Sequence, residues 1–262
     1  MPRAIEEDLE LSKQGLVVIL PEVQGTPAQT LPGFLLNVFP KLQARVCSGG
    51  GFPLPHFRGI PHTTVIGVDG TLRFDGSAGE TKKIDSAIGA ELEKVKKGWG
   101  PTPEVRRVRA LLYGKLEFAE AKKALAAASS GIDEATSKEL TAEIDQALAT
   151  RLGSLSFLLA AGRIGEAKEL MAKLEAGCHG LDPATAALTQ AKSFLASPEG
   201  EKEAAADKKV TDALTRLRNK QLPGVLAVQT FEGLAKTQAG TKSAERAAAI
   251  ARALVEGAKS KR

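Results

Sequence analysis

Apolar residues follow two different periods along this chain. Leu16-Val17-Val18-Ile19-Leu20 is an unbroken β-rich run, the pattern of a strand covered on both faces. His62–Val68 is β-rich again, Asp69-Gly70 is a hairpin turn pair, and Thr71–Phe74 reads as the returning strand. A short strand is predicted at Arg45-Val46-Cys47, with Ser48–Gly51 as a loop after it. Helical spacing marks the rest. Ile5, Leu9 and Leu11 predict a helix to about Lys13, stopped by Gly15. Leu31, Leu35, Val38 and Leu42 predict one over 26–42, interrupted by Pro32 and Pro40. Ile84, Ile88, Leu92 and Val95 predict one over 82–97.

Composition changes at a breaker cluster, Gly98-Trp99-Gly100-Pro101-Thr102-Pro103. Residues 1–100 hold 6 Ala and 8 Pro, and residues 101–262 hold 35 Ala and 5 Pro. Alanine favours helix most and proline least, so a mixed α/β segment is expected to precede an all-α one. The first segment is neutral, with 11 basic and 11 acidic residues; the second has 25 and 20 and carries the whole excess of +5. That excess is thinly spread, which reads as a solvated surface and not a nucleic-acid footprint. No apolar run approaches the roughly 20 residues of a membrane span. The first fifteen residues carry Glu6, Glu7, Asp8 and Glu10 and no apolar core, so they do not read as a secretory signal.

Gly59-Ile60-Pro61-His62-Thr63-Thr64-Val65-Ile66, then Asp69-Gly70-Thr71-Leu72 and Gly76, resembles the second half of a thioredoxin-like domain, closest in flavour to the TlpA-like or redoxin family of thiol–disulfide proteins. Lys13–Ile19 resembles that family's third strand and its approach. The resemblance implies a cis Pro61 and a substrate-side loop of Ile60, Pro61 and His62, which an extended protein disulfide substrate could meet by β-addition. It also implies extracytoplasmic placement, although the chain itself leaves the compartment open. The departure is sharper than the match. The family's chemistry needs Cys-x-x-Cys at a helix N-terminus, where the thiol is acidified, and this sequence has none. Met1-Pro2 resembles a step just after that motif, so the resemblance implies an N-terminally truncated module lacking its first strands and its dithiol turn.

The remaining reactive residues are few. Cys47 reads as a small buried hydrophobe more readily than as a nucleophile. Cys178 sits beside His179 in a predicted inter-helix turn, an arrangement that rarely forms a catalytic pair. With two cysteines and three histidines, no zinc set is expected, and Gly49–Gly51 lacks the pattern of a phosphate-binding loop. No catalytic residue, metal or cofactor is assigned.

The second segment reads as helix pairs. Thr102-Pro103-Glu104, Asp182-Pro183 and Ser197-Pro198-Glu199 are helix starts. Phe118–Leu125 and Ile164–Met171 resemble each other 46 residues apart, and each follows a glycine, Gly114 or Gly162, expected to end a helix. The pattern resembles tetratricopeptide helix pairs, with a longer spacing than that family's. A last helix, 243–256, places Ala247, Ile250, Ala251, Leu254 and Val255 on one face. The expected fold is therefore an incomplete thioredoxin-like α/β module over residues 1–98, followed by an all-α, TPR-like region over 102–258. The expected function is that of the thiol–disulfide lineage without its redox activity; the alternative is a non-catalytic scaffold whose helical region binds a protein partner.

Overall fold

From Pro103 onward every described element is helical, as the rise in alanine predicts. The structure is a computed structural model, and it describes residues 10–21, 29–38, 45–47, 62–128 and 131–259. The chain divides into two compact units. One is Glu6–Val18 with Gly50–Leu148; the other is Met1–Ile5, Ile19–Gly49 and Ala149–Arg262. Each is described separately.

In the first of these units, β3 (His62–Ile66) and β4 (Leu72–Ser77) form an antiparallel hairpin. Gly70 takes φ +76° in the turn, a conformation that suits glycine. Helix α2 (Thr81–Lys97) covers the hairpin: Ile84, Ile88 and Leu92 pack on Val65, with Leu11, Leu16 and Phe74 around them. The stretch before Leu16 ends in a 3-10 turn, Ser12–Gln14, which Gly15 stops at φ +107°. One carboxylate ties the helix to the hairpin. Glu91 is buried; its Oε2 accepts from the Val68 amide at 3.0 Å and its Oε1 from Arg73 Nε at 2.7 Å. Burial works against the Glu91 carboxylate, but Lys94, the Val68 amide and Arg73 outweigh it and hold the carboxyl below its ordinary 4.5.

Helix α3 (Pro103–Arg109) follows, capped as expected by Thr102, whose Oγ1 accepts from the Val105 amide. It runs into a π-helical stretch, Ala110–Lys115, which closes at Leu116 with φ +61°. Gly114 is therefore not the terminator that the sequence suggests. It lies inside the π stretch, where an added Cβ would come 2.8 Å from the Val95 carbonyl oxygen on α2. Helix α4 (Phe118–Ala127) buries Phe118 and Ala121 completely. Helix α5 (Glu134–Ala160) buries Leu140, Ile144 and Leu148 from its first half. Arg109 binds both oxygens of Glu143 and stands 5.3 Å from the centre of the Trp99 ring, which packs on Tyr113.

In the other unit, β1 (Ile19–Pro21) pairs in parallel with β2 (Arg45–Cys47). The strand expected at 16–20 is observed as 19–21, starting three residues later and ending one later. Among the described residues these two strands and the hairpin make separate two-stranded sheets. The predicted helix over 26–42 is described as α1 (Leu31–Val38); Pro32 falls in its first turn, where a missing N–H leaves no bond unmade. The unit continues from the second half of α5 into α6 (Ile164–Gly177), α7 (Asp182–Leu195), α8 (Pro198–Arg218), α9 (Gly224–Thr237) and α10 (Lys242–Lys259). Val210, Ala213, Leu217, Leu222, Ala227, Phe231, Ala247, Ala251 and Leu254 form its core. Val255, expected on the buried face of α10, is 38% exposed. Asp182 is also displaced from its expected role: Leu181 occupies the cap position and Asp182 begins the helix. Helix α1 crosses α10 so closely that a Cβ on Gly33 would lie 1.8 Å from the Ala253 carbonyl oxygen.

Replacing Glu91 by Gln should weaken folding by about 1–3 kcal/mol at neutral pH, since buried donors lose a charged acceptor. Because the folded-state value is depressed, the ionic contribution is complete above pH 4.5 and vanishes as pH falls through the lowered value. Urea unfolding of the wild type and Glu91→Gln should therefore converge in acid.

Candidate functional site

The sequence nominates Ile60, Pro61 and His62. Ile60 and Pro61, with the expected cis bond, lie outside the described residues, as do Ser48–Gly51. His62 opens β3. Its side chain is 11% exposed, and Nε2 lies 2.6 Å from Asp75 Oδ1. Thr64, the next residue on that face, donates from Oγ1 to the same oxygen at 3.0 Å. Strand alternation and the Thr64–Asp75 register bring these three side chains together. The carboxylate orients the imidazole by accepting from Nε2–H.

The two cysteines differ. Cys47 ends the three-residue strand β2 and is exposed, contrary to the small buried hydrophobe expected of it. Cys178 follows the last residue of α6 and is buried, and burial pushes its thiol up to about 11. Among the described residues, no three His, Cys, Asp or Glu side chains come together as a metal set. No described helix is long and apolar enough to cross a membrane.

The most developed polar arrangement involves residues the sequence reading did not single out. Helix α8 buries a face of Ala206, Val210, Ala213 and Leu217, and the same face carries Glu203 and Asp207, each 5% exposed. Each carboxylate meets a helix N-terminus. Glu203 accepts from the Lys242 and Ser243 amides at 2.8 and 2.7 Å, the first two of α10. Thr241 Oγ1 accepts from the third, Ala244, at 3.0 Å. The unpaired amides at the start of that helix are thereby satisfied, and negative charge faces the positive end of its dipole. Asp207 Oδ2 accepts from the Gly165 amide at 2.7 Å in the first turn of α6, while Oδ1 lies 2.9 Å from Arg246 Nη2.

Gly162 completes the junction. It turns the chain between α5 and α6 at φ +64°, as the sequence predicts of this glycine. Its carbonyl accepts from Ser243 Oγ at 3.0 Å and Arg246 Nη1 at 3.2 Å. A Cβ there would lie 2.7 Å from both Glu203 Oε1 and the Ser243 amide nitrogen. The sequence does hold a signal for the carboxylates. Extending the spacing of Val210, Ala213 and Leu217 towards the N-terminus places 203 and 207 on the core face, where a charge must have a buried partner.

No family model matches the sequence, and no curated protein or solved structure matches it either.

Glu203→Ala should cost about 2–3 kcal/mol, because two buried amides lose their acceptor. Gly162→Ala should cost about as much, from a left-handed backbone and a collision together. Urea unfolding followed by circular dichroism measures both; wild-type midpoints would show the junction to be energetically idle.

Proposed function

We propose that this chain is a non-catalytic scaffold whose helical region binds a partner protein. The observation that carries the reading is a recurring helix start. Phe118 and Ala121 are fully buried at the start of α4, as are Ile164 and Ala167 at the start of α6 to within 1%. Ala244 and Ala247 repeat the spacing at the start of α10 and are 6% and 0% exposed. A small alanine one turn into a helix admits a neighbouring backbone, so each of these helices can pack closely on its neighbour within its own unit. The TPR-like reading rests on this recurrence. Acidic side chains are engaged in positioning: Glu203 and Asp207 hold helix ends, and Glu91 holds the hairpin.

A second reading concerns residues 1–98. The hairpin of β3 and β4, followed by α2 packed upon it, favours a thioredoxin-like module of the TlpA-like or redoxin lineage. Under that reading Ile60, Pro61 and His62 remain the substrate-side loop, and the module exchanges no disulfides. Exchange needs an attacking thiolate and a resolving partner, whereas the Cys178 thiol stays protonated at neutral pH.

The full chain should leave insulin unreduced above background in a turbidity assay. A chromogenic thiol reagent should label exposed Cys47 quickly and Cys178 only on unfolding. Proteins retained by the immobilised full chain should be the same for wild type and Cys47→Ser, and should be lost with Glu203→Ala. Retention that follows the cysteine instead would replace the scaffold reading with disulfide exchange.

A further inference from the structure

The turn between α8 and α9 puts apolar residues into water. Leu222 and Ala227 are buried in the helical core, but the four residues between them, Pro223-Gly224-Val225-Leu226, are all exposed. Val225 is 77% exposed and Leu226 48%, and a Cβ added to Gly224 would meet no atom within 4 Å. An open apolar run of this kind is a liability in water unless something covers it. The buried neighbours on either side hold the tip in place at both ends.

The charges along this stretch have one sign. From Ala213 to Phe231 the chain carries Arg216, Arg218 and Lys220 and no acidic residue. Arg216 and Lys220 are exposed. Helix α9 follows Pro223 with no side-chain cap and no acidic residue in its first turn, so the positive end of its dipole lies at the tip. Lys220 is held there at a cost. It takes φ +57° just past the end of α8, with its amide 3.0 Å from the Leu217 carbonyl oxygen and the Gln221 amide 2.8 Å from that of Arg216. Glycine is the usual occupant of such a position, because a side chain strains the left-handed backbone. Folding alone would favour glycine; the lysine adds a cation to the turn that leads to Val225. We propose that this turn docks on an anionic lipid surface, with Val225 and Leu226 entering the acyl boundary and Arg216 and Lys220 at the depth of the headgroup phosphates. A protein pocket would have to match the outline of the tip, whereas a bilayer accepts a protruding apolar turn of any outline.

Flotation of the full chain with lipid vesicles tests this. The wild type should float with vesicles of equal parts phosphatidylcholine and phosphatidylserine, should not float with phosphatidylcholine alone, and should detach as salt is raised. Val225→Gln combined with Leu226→Gln should bind about tenfold more weakly, since the apolar insertion is lost. Lys220→Gly separates binding from folding. It should raise the urea midpoint by relieving the left-handed strain, yet lower vesicle binding about fivefold, the share of one cation at an anionic surface. Lys208→Gln, which removes an exposed charge paired with Asp212 on the same helix, should bind as wild type does. No flotation, equal flotation with phosphatidylcholine alone, full binding by the double variant, or equal losses in Lys208→Gln and Lys220→Gly overturns the proposal. If vesicles stay unbound while the double variant loses the proteins retained by wild type, the turn is a protein-binding surface instead, and the proposal falls.

Discussion

Two carboxylates one turn apart on α8 set the positions of two other helices. Removing Glu203 and Asp207 from water is costly, and an isolated buried carboxylate would be untenable. Here the acceptors meet donors that are themselves in need. Helix N-termini leave backbone amides without intrahelical partners, and burial would make those amides equally expensive. Glu203 takes two from α10 and Asp207 takes one from α6, so one set of bonds satisfies both sides. Arg246 then balances Asp207 and ties back to the Gly162 carbonyl. The arrangement is directional in a way that apolar packing is not, because a carboxylate one turn out of place would leave its amides bare.

Direction matters here because of what lies around the junction. Much of the helical core is alanine: Ala206, Ala213, Ala227, Ala247 and Ala251 are all buried in it. Alanine permits close approach, seen in extreme form where α1 crosses α10 at Gly33 and Gly257. Yet it buries little area and has no shape with which to select one register over its neighbours. Larger side chains such as Phe231 and Leu254 supply the bulk of the apolar burial, and the polar bonds select the alignment. The other unit uses the same device on a smaller scale. Glu91 accepts from the Val68 amide at the end of the hairpin and thereby fixes α2 against it.

Period and breakers made most of the elements legible before any coordinates. The hairpin, α2, the Thr102 cap and the Gly162 turn all fall where the sequence puts them, since each depends on residues close together in the chain. Features set by distant partners were harder to see. The π stretch at Ala110–Lys115 removes Gly114 from its apparent role as a stop, and no local pattern announces it. Cys47 is exposed at the end of a three-residue strand, and nothing in its local sequence says so. Glu203 and Asp207 were legible in principle, as charges in phase with Val210 and Leu217. Their partners at Lys242, Ser243 and Gly165 were not, because 35 or more residues intervene.

The same division explains why function is harder to read than fold here. A catalytic constellation has residue types and spacings that a sequence displays. An interaction surface on a helical array has only geometry, and geometry arises from long-range bonds such as those of Glu203. The junction on α8 illustrates the point. Gly162 and Ser243 are 81 positions apart, and nothing in the sequence near either one announces the other. They meet because Glu203 and Asp207 bring the starts of α10 and α6 to one place. A surface built on those helices takes its shape from the same bonds that align them.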